Sequence, residues 1–401
     1  MENLKALAEK KEYQSLISEL KNRIKEDKRT LTDPFIKEWC GKRWRNIFIN
    51  EAVKIPEALE AAKEKKLFKE DNRPDKQKIA YRYLRGSGPE EWNLDFPEAS
   101  LPEIKNTTLI FSPGMLTGLL PVMAFQEAFP AVEEKYKWRI LQSDSHPIRS
   151  CDANTQDLLN AIENGKGLDA NAKIIPESKK NPPKDIFLIG YSKGMPDIMH
   201  LLIKRPDLKS RIRCIFNWAG APGGSYLANS MYESIKDINV EDLQGGIIDA
   251  LKLISPFINL PKKVRRLEEY DFKGALYDLD TNRRAQFLKE HLDFIDSLNI
   301  PIFNITGSTN AMEVPYFQVQ GVMELNKYDA NNDMQVTQKH SKIESPIATD
   351  LAMLHGHHWD LSYSPFPPKM RFGSPHLDHP FPKEAALVAM YKFAAELGLI
   401  D

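Results

Sequence analysis

One serine of the sequence lies in a pattern that could make it a nucleophile. Gly190, Ser192 and Gly194 form a G-x-S-x-G motif, which follows the apolar run 186–189 and precedes a helical pattern of apolar residues at 198, 201 and 202. A serine held in a sharp strand-to-helix turn leaves room only for glycine two positions before and after it, and its hydroxyl then projects into a cleft. The helix start also favours developing negative charge. The motif therefore predicts a nucleophilic serine, the alternative being a glycine-rich turn with a bystander serine.

This succession of strand, motif and helix resembles the α/β-hydrolase superfamily, and more narrowly its bacterial lipase-like serine esterases, over roughly residues 77–401. In that family the loop after an earlier strand supplies one backbone amide of the oxyanion hole. Here Pro113, Gly114 and Met115 stand where many members have His-Gly followed by an apolar residue. The resemblance implies that the amides of Met115 and Lys193 form the oxyanion hole, which would stabilise a tetrahedral intermediate.

A nucleophilic serine needs a base, and the base needs a carboxylate that holds its tautomer. In the family the three residues follow the chain order serine, acid, histidine. The turn-rich stretch 331–336 resembles the family's Asp-Gly-x-Val acid turn, which implies Asp333 as the acid, although Met334 replaces the usual glycine. Asp329 and Asp350 are the alternative acids.

The histidines of the chain are densest at 355–360, where the sequence reads His-Gly-His-His-Trp-Asp. Family members carry the catalytic histidine in a loop just before an apolar residue and often an acid. His358, which precedes Trp359 and Asp360, matches that arrangement and is the predicted base. Its neighbour His357 is the alternative.

The same histidines also permit a metal-site interpretation, because imidazoles are common zinc ligands. However, neighbouring histidines and those two apart point in different directions, and neither an HExxH motif nor paired Cys-His spacing is present. We therefore expect neither a catalytic metal nor a cofactor. The histidines concerned are His355, His357, His358, His376 and His379.

The elements that would position these residues are short apolar runs that alternate with helical patterns. This rhythm is typical of βαβ units and predicts an α/β-hydrolase fold, with a mostly parallel central sheet flanked by helices. Functional loops of such a sheet gather at the carboxyl ends of its strands. The predicted strands are 107–111, 138–141, 186–189, 212–216 and 302–305, preceded by a half-buried strand with Ile79, Tyr81 and Tyr83 on one face.

Helical patterns outside the sheet suggest two additions to the core. Residues 1–75 read as a helical N-terminal extension, in which one helix runs from Pro34 towards Ala62. Residues 76–229 and 300–401 form the predicted hydrolase core, and 230–299 a helical cap. The cap carries an apolar stripe broken by Pro256, and the alternative is a helix packed flat on the sheet. The stripe consists of Ile247, Ile248, Leu251, Ile254 and Ile258.

Composition narrows the class of protein. The chain has 401 residues, 42% of them hydrophobic, and a formal net charge of -1, which argues against disorder and against a global electrostatic attraction to nucleic acid. Three widely spaced cysteines fit a reducing compartment. The N-terminus lacks the pattern of a secretory signal, and no apolar run approaches the roughly 18 to 20 residues of a membrane span. We predict a cytoplasmic protein without a transmembrane segment.

The predicted activity is hydrolysis of small-molecule carboxylic esters through an acyl-enzyme. An apolar acyl group is favoured because the cap stripe is rich in Ile and Leu. The alternative is an inactive α/β-hydrolase scaffold that binds a partner through its helical N-terminal region. An intact G-x-S-x-G motif argues against that alternative.

Overall fold

A computed structural model describes residues 1–64, 71–86, 92–146, 148–236, 266, 269–371 and 374–401. Most of the helices and strands in these ranges belong to a single sheet and the helices that pack on it. The helices are α1 Glu2–Glu9, α2 Tyr13–Glu26, α3 Pro34–Ala52, α4 Pro56–Ala62, α5 Asp75–Tyr83, α6 Ala128–Tyr136, α7 Cys151–Asn164, α8 Gly194–Lys204, α9 Tyr226–Ile235, α10 Phe272–Tyr277, α11 Thr281–Ser297, α12 Val319–Leu325, α13 Pro368–Arg371 and α14 Lys383–Glu396. The strands are β1 Leu84–Arg85, β2 Thr107–Ser112, β3 Ile140–Gln142, β4 Asp185–Tyr191, β5 Ile212–Trp218, β6 Ile302–Ser308 and β7 Ala348–His355.

The strands form one sheet in the order β1-β7-β6-β5-β4-β2-β3. Neighbouring strands are parallel except for β1, which runs antiparallel to β7 at the edge. Every residue of β2, β4 and β6 is buried, as expected for strands covered on both faces. The predicted parallel α/β sheet is therefore confirmed.

Helices cover the two faces of the sheet and bury separate apolar clusters. On one face, α3, α6 and α14 pack with helix α2, which contributes Leu16 and Leu20 to the cluster. On the other face, α7, α8 and α11 pack against the alternate side chains of the strands. The N-terminal helices thus share a core with the sheet, and their apolar spacing reflects burial against it.

Two sequence-based assignments in the first 85 residues are wrong. The predicted strand around Ile79 is helix α5, in which Ile79, Ala80 and Tyr83 are buried while Tyr81 is 46% exposed. The three buried residues lie on one face of the helix. The alternation of apolar and polar residues that suggested a strand was coincidental. The predicted helix from Pro34 to Ala62 is interrupted after Ala52, because Pro56 begins the separate helix α4.

The range predicted as a cap is described only in part. Its apolar stripe, 247–258, lies outside the described residues. Within the described part, α11 places Phe287 and Ile295 in the same apolar cluster as Met199 and Leu202 of α8. This helix therefore flanks the sheet. None of the described helices combines the length and the hydropathy that crossing a bilayer would require.

Candidate active site

Ser192 lies in a sharp turn between β4 and α8. Its φ is 54°, a left-handed conformation that is uncommon for a residue other than glycine and costs on the order of 1 to 3 kcal/mol. The two glycines are sterically required, because a Cβ at Gly190 would lie 2.8 Å from Met195 Cα and one at Gly194 only 2.0 Å from the Ser112 carbonyl oxygen. The structure thus has the strained strand-turn-helix geometry that the motif predicts.

The loop after β2 packs directly against this turn. A Cβ at Gly114 would lie 2.7 Å from Ser192 Cβ, so the glycine is what allows the two loops to approach. Met115, the next residue, lines the same cavity as Ser192. The loop predicted to supply an oxyanion amide is therefore next to the serine.

Lys193, the other predicted oxyanion residue, is the residue before the first turn of α8. Its side chain is buried, and its Nζ donates to Asp197 Oδ1 at 2.7 Å. Burial by itself opposes the charge, but Asp197 raises the pKa of Lys193 above its ordinary value. Asn154 Nδ2 donates to the other oxygen of Asp197 at 3.0 Å. The ion pair holds the side chain against α8, so its backbone amide is the group of Lys193 suited to an oxyanion.

His358 and Asp333 meet through a short hydrogen bond. His358 Nδ1 lies 2.6 Å from Asp333 Oδ2, and both side chains are buried. The His358 backbone N–H also donates to the Asp333 carbonyl oxygen at 2.7 Å. Asp333 Oδ1 in turn accepts from the backbone N–H groups of Gln335 and Val336. The carboxylate is therefore fixed by its own turn, and it fixes the imidazole.

The second ring nitrogen of His358 is not used in a hydrogen bond among the described residues. This atom, Nε2, is buried. His358 and Ser192 line the same cavity. Serine-histidine hydrogen bonds are often long before substrate binds, so this arrangement is compatible with a base that takes the serine proton.

Asp333 sits in a turn that is unusual for its residue types. Met334 has a φ of 85° although it is not glycine, and its side chain is fully buried in the core. Burial of a side chain of this size contributes roughly 1.5 to 3 kcal/mol, which offsets the strain. The turn can thus keep the geometry of an Asp-Gly-x-Val turn without the glycine.

The alternative acids make other contacts. Asp329 Oδ1 accepts from the backbone N–H of Asn331 at 2.8 Å. Asp350 accepts from Asn304 Nδ2 and Lys342 Nζ. The structure therefore brings Asp333, and neither of these two, to His358.

The alternative base, His357, is turned into the protein. Its Nε2 lies 2.9 Å from the His376 carbonyl oxygen, and its Nδ1 accepts from the Asp360 backbone N–H at 3.1 Å. Burial lowers the pKa of His357, and the hydrogen bond that its Nδ1 accepts also favours the neutral ring. With both nitrogens engaged, His357 ties down the loop that carries His358.

Tyr191 is a site residue that the sequence analysis did not single out. Its hydroxyl donates to the His358 carbonyl oxygen at 3.0 Å, and its ring stacks on the imidazole with centroids 4.9 Å apart. Burial raises the pKa of Tyr191, which keeps the hydroxyl a donor. In the sequence, Tyr191 stands out only as the residue between Gly190 and Ser192 of the G-x-S-x-G motif. Nothing in the sequence relates that position to a histidine so far along the chain.

A cavity of about 380 Å³ opens above Ser192 and His358, within the range of small-molecule sites. One wall comes from α9, another from α12 and the turn after Asp333, and a third from the loop after β2. The apolar lining residues are Met115, Leu116, Ala221, Leu227, Ala228, Met231, Leu276, Leu279, Phe317, Val336 and Trp359. Polar side chains besides the serine and the histidine also line the cavity, namely Tyr191, Ser225, Ser230, Gln318, Gln320, Glu324, Gln335 and Tyr363.

Two further histidines of the metal-site interpretation have partners of their own. His355 Nε2 lies 2.9 Å from Glu313 Oε1, and His379 Nδ1 lies 3.0 Å from the Ser364 carbonyl oxygen. In the part of the chain that the structure describes, no group of three His, Cys, Asp or Glu side chains is arranged to hold a metal ion.

The sheet order, the tight strand-to-helix turn at Ser192 and the flanking helices together define the α/β-hydrolase fold, as the sequence predicted. Solved structures with a similar fold include esterases and lipases. The metagenomic carboxyl esterase MGS0156 matches with a TM-score of 0.62 and 20% identity, over 89% of this chain and 92% of that chain.

Two further solved structures match less closely. The mature Bacillus licheniformis lipase BlEst2 has a TM-score of 0.42 and 17% identity, over 70% of this chain and 92% of its own. A lipase-esterase related protein from Clostridium acetobutylicum has a TM-score of 0.35 and 15% identity, over 65% and 90%. No protein-family model matches the sequence, and comparison with curated proteins gives no match.

Proposed function

We propose that this protein is a serine hydrolase that cleaves carboxylic esters through an acyl-enzyme. The observation that carries the proposal is the pairing of His358 with Asp333 at 2.6 Å, which leaves His358 Nε2 unpartnered beside the cavity that Ser192 lines. The carboxyl esterase with the same fold is additional support.

The proposed reaction starts with attack of Ser192 Oγ on the ester carbonyl carbon, while His358 Nε2 takes the hydroxyl proton. Asp333 holds Nδ1 protonated and stabilises the imidazolium. The developing oxyanion accepts hydrogen bonds from the backbone amides of Met115 and Lys193. Collapse of the intermediate breaks the bond to the alcohol, whose oxygen takes the proton from Nε2. Water then attacks the acyl-enzyme by the same proton transfers and restores the serine.

An apolar acyl group fits the cavity best. Leu227, Met231, Leu276 and Phe317 contribute aliphatic and aromatic surface to the cavity that Ser192 lines. Burial of a hydrocarbon chain against such surface contributes about 0.8 kcal/mol for each CH₂ group removed from water. Esters of aliphatic acids are therefore the proposed substrates.

The test is labelling of the protein with a fluorophosphonate probe, combined with hydrolysis of p-nitrophenyl esters. Wild type should be labelled and active, whereas Ser192→Ala should lose labelling and about 10⁴-fold or more of kcat. Ser230→Ala is the matched control, because Ser230 lines the same cavity but lies within helix α9. Labelling that survives Ser192→Ala, or an unlabelled and inactive wild type, would reject the proposal and favour the inactive scaffold.

A further inference from the structure

The ring of Tyr191 lies against the imidazole of the proposed base. The two rings are stacked, with centroids 4.9 Å apart and an angle of 27° between their planes. The Tyr191 hydroxyl also donates to the carbonyl oxygen of His358 at 3.0 Å. One tyrosine thus contacts both the side chain and the backbone of the histidine.

The surroundings of the Tyr191 ring keep it in this place. Tyr191 is the last residue of β4, directly before the strained turn at Ser192, and it is buried. A Cβ at Gly114 would lie 3.2 Å from two carbons of the ring, so the loop after β2 packs closely against it. This packing and the hydrogen bond to His358 together hold the ring on the imidazole.

Asp333 and Tyr191 approach the imidazole from different directions. Asp333 meets its edge, at Nδ1, whereas Tyr191 meets its face. The face of an aromatic ring carries partial negative charge and attracts a cation within about 6 Å of its centroid. This attraction is stronger away from water, and the His358 side chain is only 1% exposed. An imidazolium therefore gains more from the Tyr191 ring than a neutral imidazole does.

We propose that the Tyr191 ring stabilises the imidazolium that His358 forms when it takes the serine proton. The stabilisation is present in the transition state and largely absent before the proton moves, so it raises kcat and leaves substrate binding unchanged. Tyr191 exerts this effect through His358. The inference rests on the proposed function and adds a second group, besides Asp333, that favours the charged base.

A tyrosine that merely covered the histidine would have the opposite effect on the base. Burial by apolar groups disfavours the charged form of a histidine, so removing a mere cover would make the imidazole easier to protonate. Removing a ring that attracts the imidazolium would make it harder to protonate. The direction of the change in a pH profile therefore separates the two roles.

The test measures the pH profile of kcat/KM for a short-chain p-nitrophenyl ester in wild type, Tyr191→Leu and Tyr191→Phe. Activity falls at low pH as the base is protonated, and the midpoint of this fall is the readout. Tyr191→Leu should lower the midpoint by about 0.5 to 1.5 pH units and kcat by about 3- to 30-fold, with KM within about 3-fold. Tyr191→Phe keeps an aromatic face, so its midpoint should stay within about 0.3 pH units of wild type.

The described titratable groups around His358 are the same in wild type and in these variants, so a moved midpoint reports the ring at position 191. They are Asp333 at Nδ1, His357 and Asp360 in the same loop, Lys193 and Asp197 beside the serine turn, and Glu324 and Tyr363 in the cavity lining.

A graded series keeps the shape of the ring and changes its charge distribution. Phenylalanines with increasing numbers of fluorine atoms, incorporated at position 191, have a progressively less negative face. The midpoint should therefore fall stepwise along the series. This measurement tests the inference even where Tyr191→Leu does not fold.

Tyr391→Leu is the matched control, because Tyr391 is an equally buried tyrosine on α14 whose ring stacks on Trp138. It should lower the Tm and leave the midpoint and kcat unchanged. A midpoint of Tyr191→Leu equal to or higher than that of wild type, or a fluorinated series without a trend, would overturn the inference. A wild type that is neither labelled by the fluorophosphonate nor active on the ester would instead reject the proposed function.

Discussion

His357 and His358 are adjacent in the chain, yet their rings have opposite surroundings. His358 has one nitrogen on Asp333 and the other unpartnered among the described residues, whereas both nitrogens of His357 are engaged within the loop. The His358 ring therefore faces the cavity that Ser192 lines, whereas the His357 ring is held by backbone groups of its own loop and of His376. The roles of the two residues are therefore not exchangeable.

The two alanine variants should separate catalysis from stability. His358→Ala should lower kcat for p-nitrophenyl esters by about 10³-fold or more, because the serine loses its base. His357→Ala should leave kcat within about 10-fold and lower the free energy of unfolding by about 1 to 3 kcal/mol, because it leaves a buried carbonyl and a buried N–H unpaired. Ester kinetics and urea unfolding of both variants measure this. The reverse pattern would move the base to His357.

At the scale of elements, the N-terminal helix α3 is joined to the C-terminal helix α14. Arg43 makes a two-pronged contact with Glu396, with Nε–Oε1 at 2.7 Å and Nη2–Oε2 at 2.6 Å, and the Arg43 side chain is 1% exposed. Lys392 of α14 donates to Glu51 of α3 at 2.9 Å. These pairs are buried between two helices that lie on one face of the sheet.

Breaking the Arg43 pair should destabilise the whole fold. Arg43→Met should lower the free energy of unfolding by about 3 to 5 kcal/mol, because Glu396 is left charged and largely buried. Lys42→Ala is the neighbouring control: its ion pair with Glu38 is exposed and should contribute less than about 1 kcal/mol. Urea unfolding measures both. Similar decreases in the free energy of unfolding of the two variants would show that the buried Arg43 pair stabilises the protein no more than an exposed pair does.

For the molecule as a whole, buried neutral histidines couple stability to pH. Burial lowers the pKa of His146 to about 4, and it also lowers the pKa values of His357 and His379. A histidine in the unfolded chain has a pKa of about 6.5. Between the two values the unfolded chain binds more protons, so stability is fully present above about pH 6.5 and is lost as the pH falls.

The free energy of unfolding should therefore decrease between pH 7 and pH 5. His146 alone accounts for about 2 kcal/mol of this decrease, from its folded pKa of about 4. Urea unfolding of wild type and His146→Gln at a series of pH values tests it, and the variant should show a shallower decrease. A wild-type stability that is flat down to pH 5 would contradict the prediction.

The amino-acid sequence by itself determined the features that depend on neighbours in the chain. Continuous apolar runs such as 186–189, bounded by turn signals, indicated strands covered on both faces. The spacing of Gly190, Ser192 and Gly194 followed from steric limits within a single turn. The same reasoning from neighbouring residues wrongly predicted a strand at Ile79, because a short apolar alternation fits a helix face as well as a strand. Local periodicity is ambiguous over so few residues.

Tertiary structure alone decided the contacts between loops that are far apart along the chain. It placed Asp333, and neither Asp329 nor Asp350, on His358, and it turned His357 inward. It also related Tyr191 to His358 and placed both beside the cavity that Ser192 lines. The physical reason is that hydrogen bonds and free volume at the carboxyl edge of the sheet depend on how separate loops pack, which no spacing along one segment encodes.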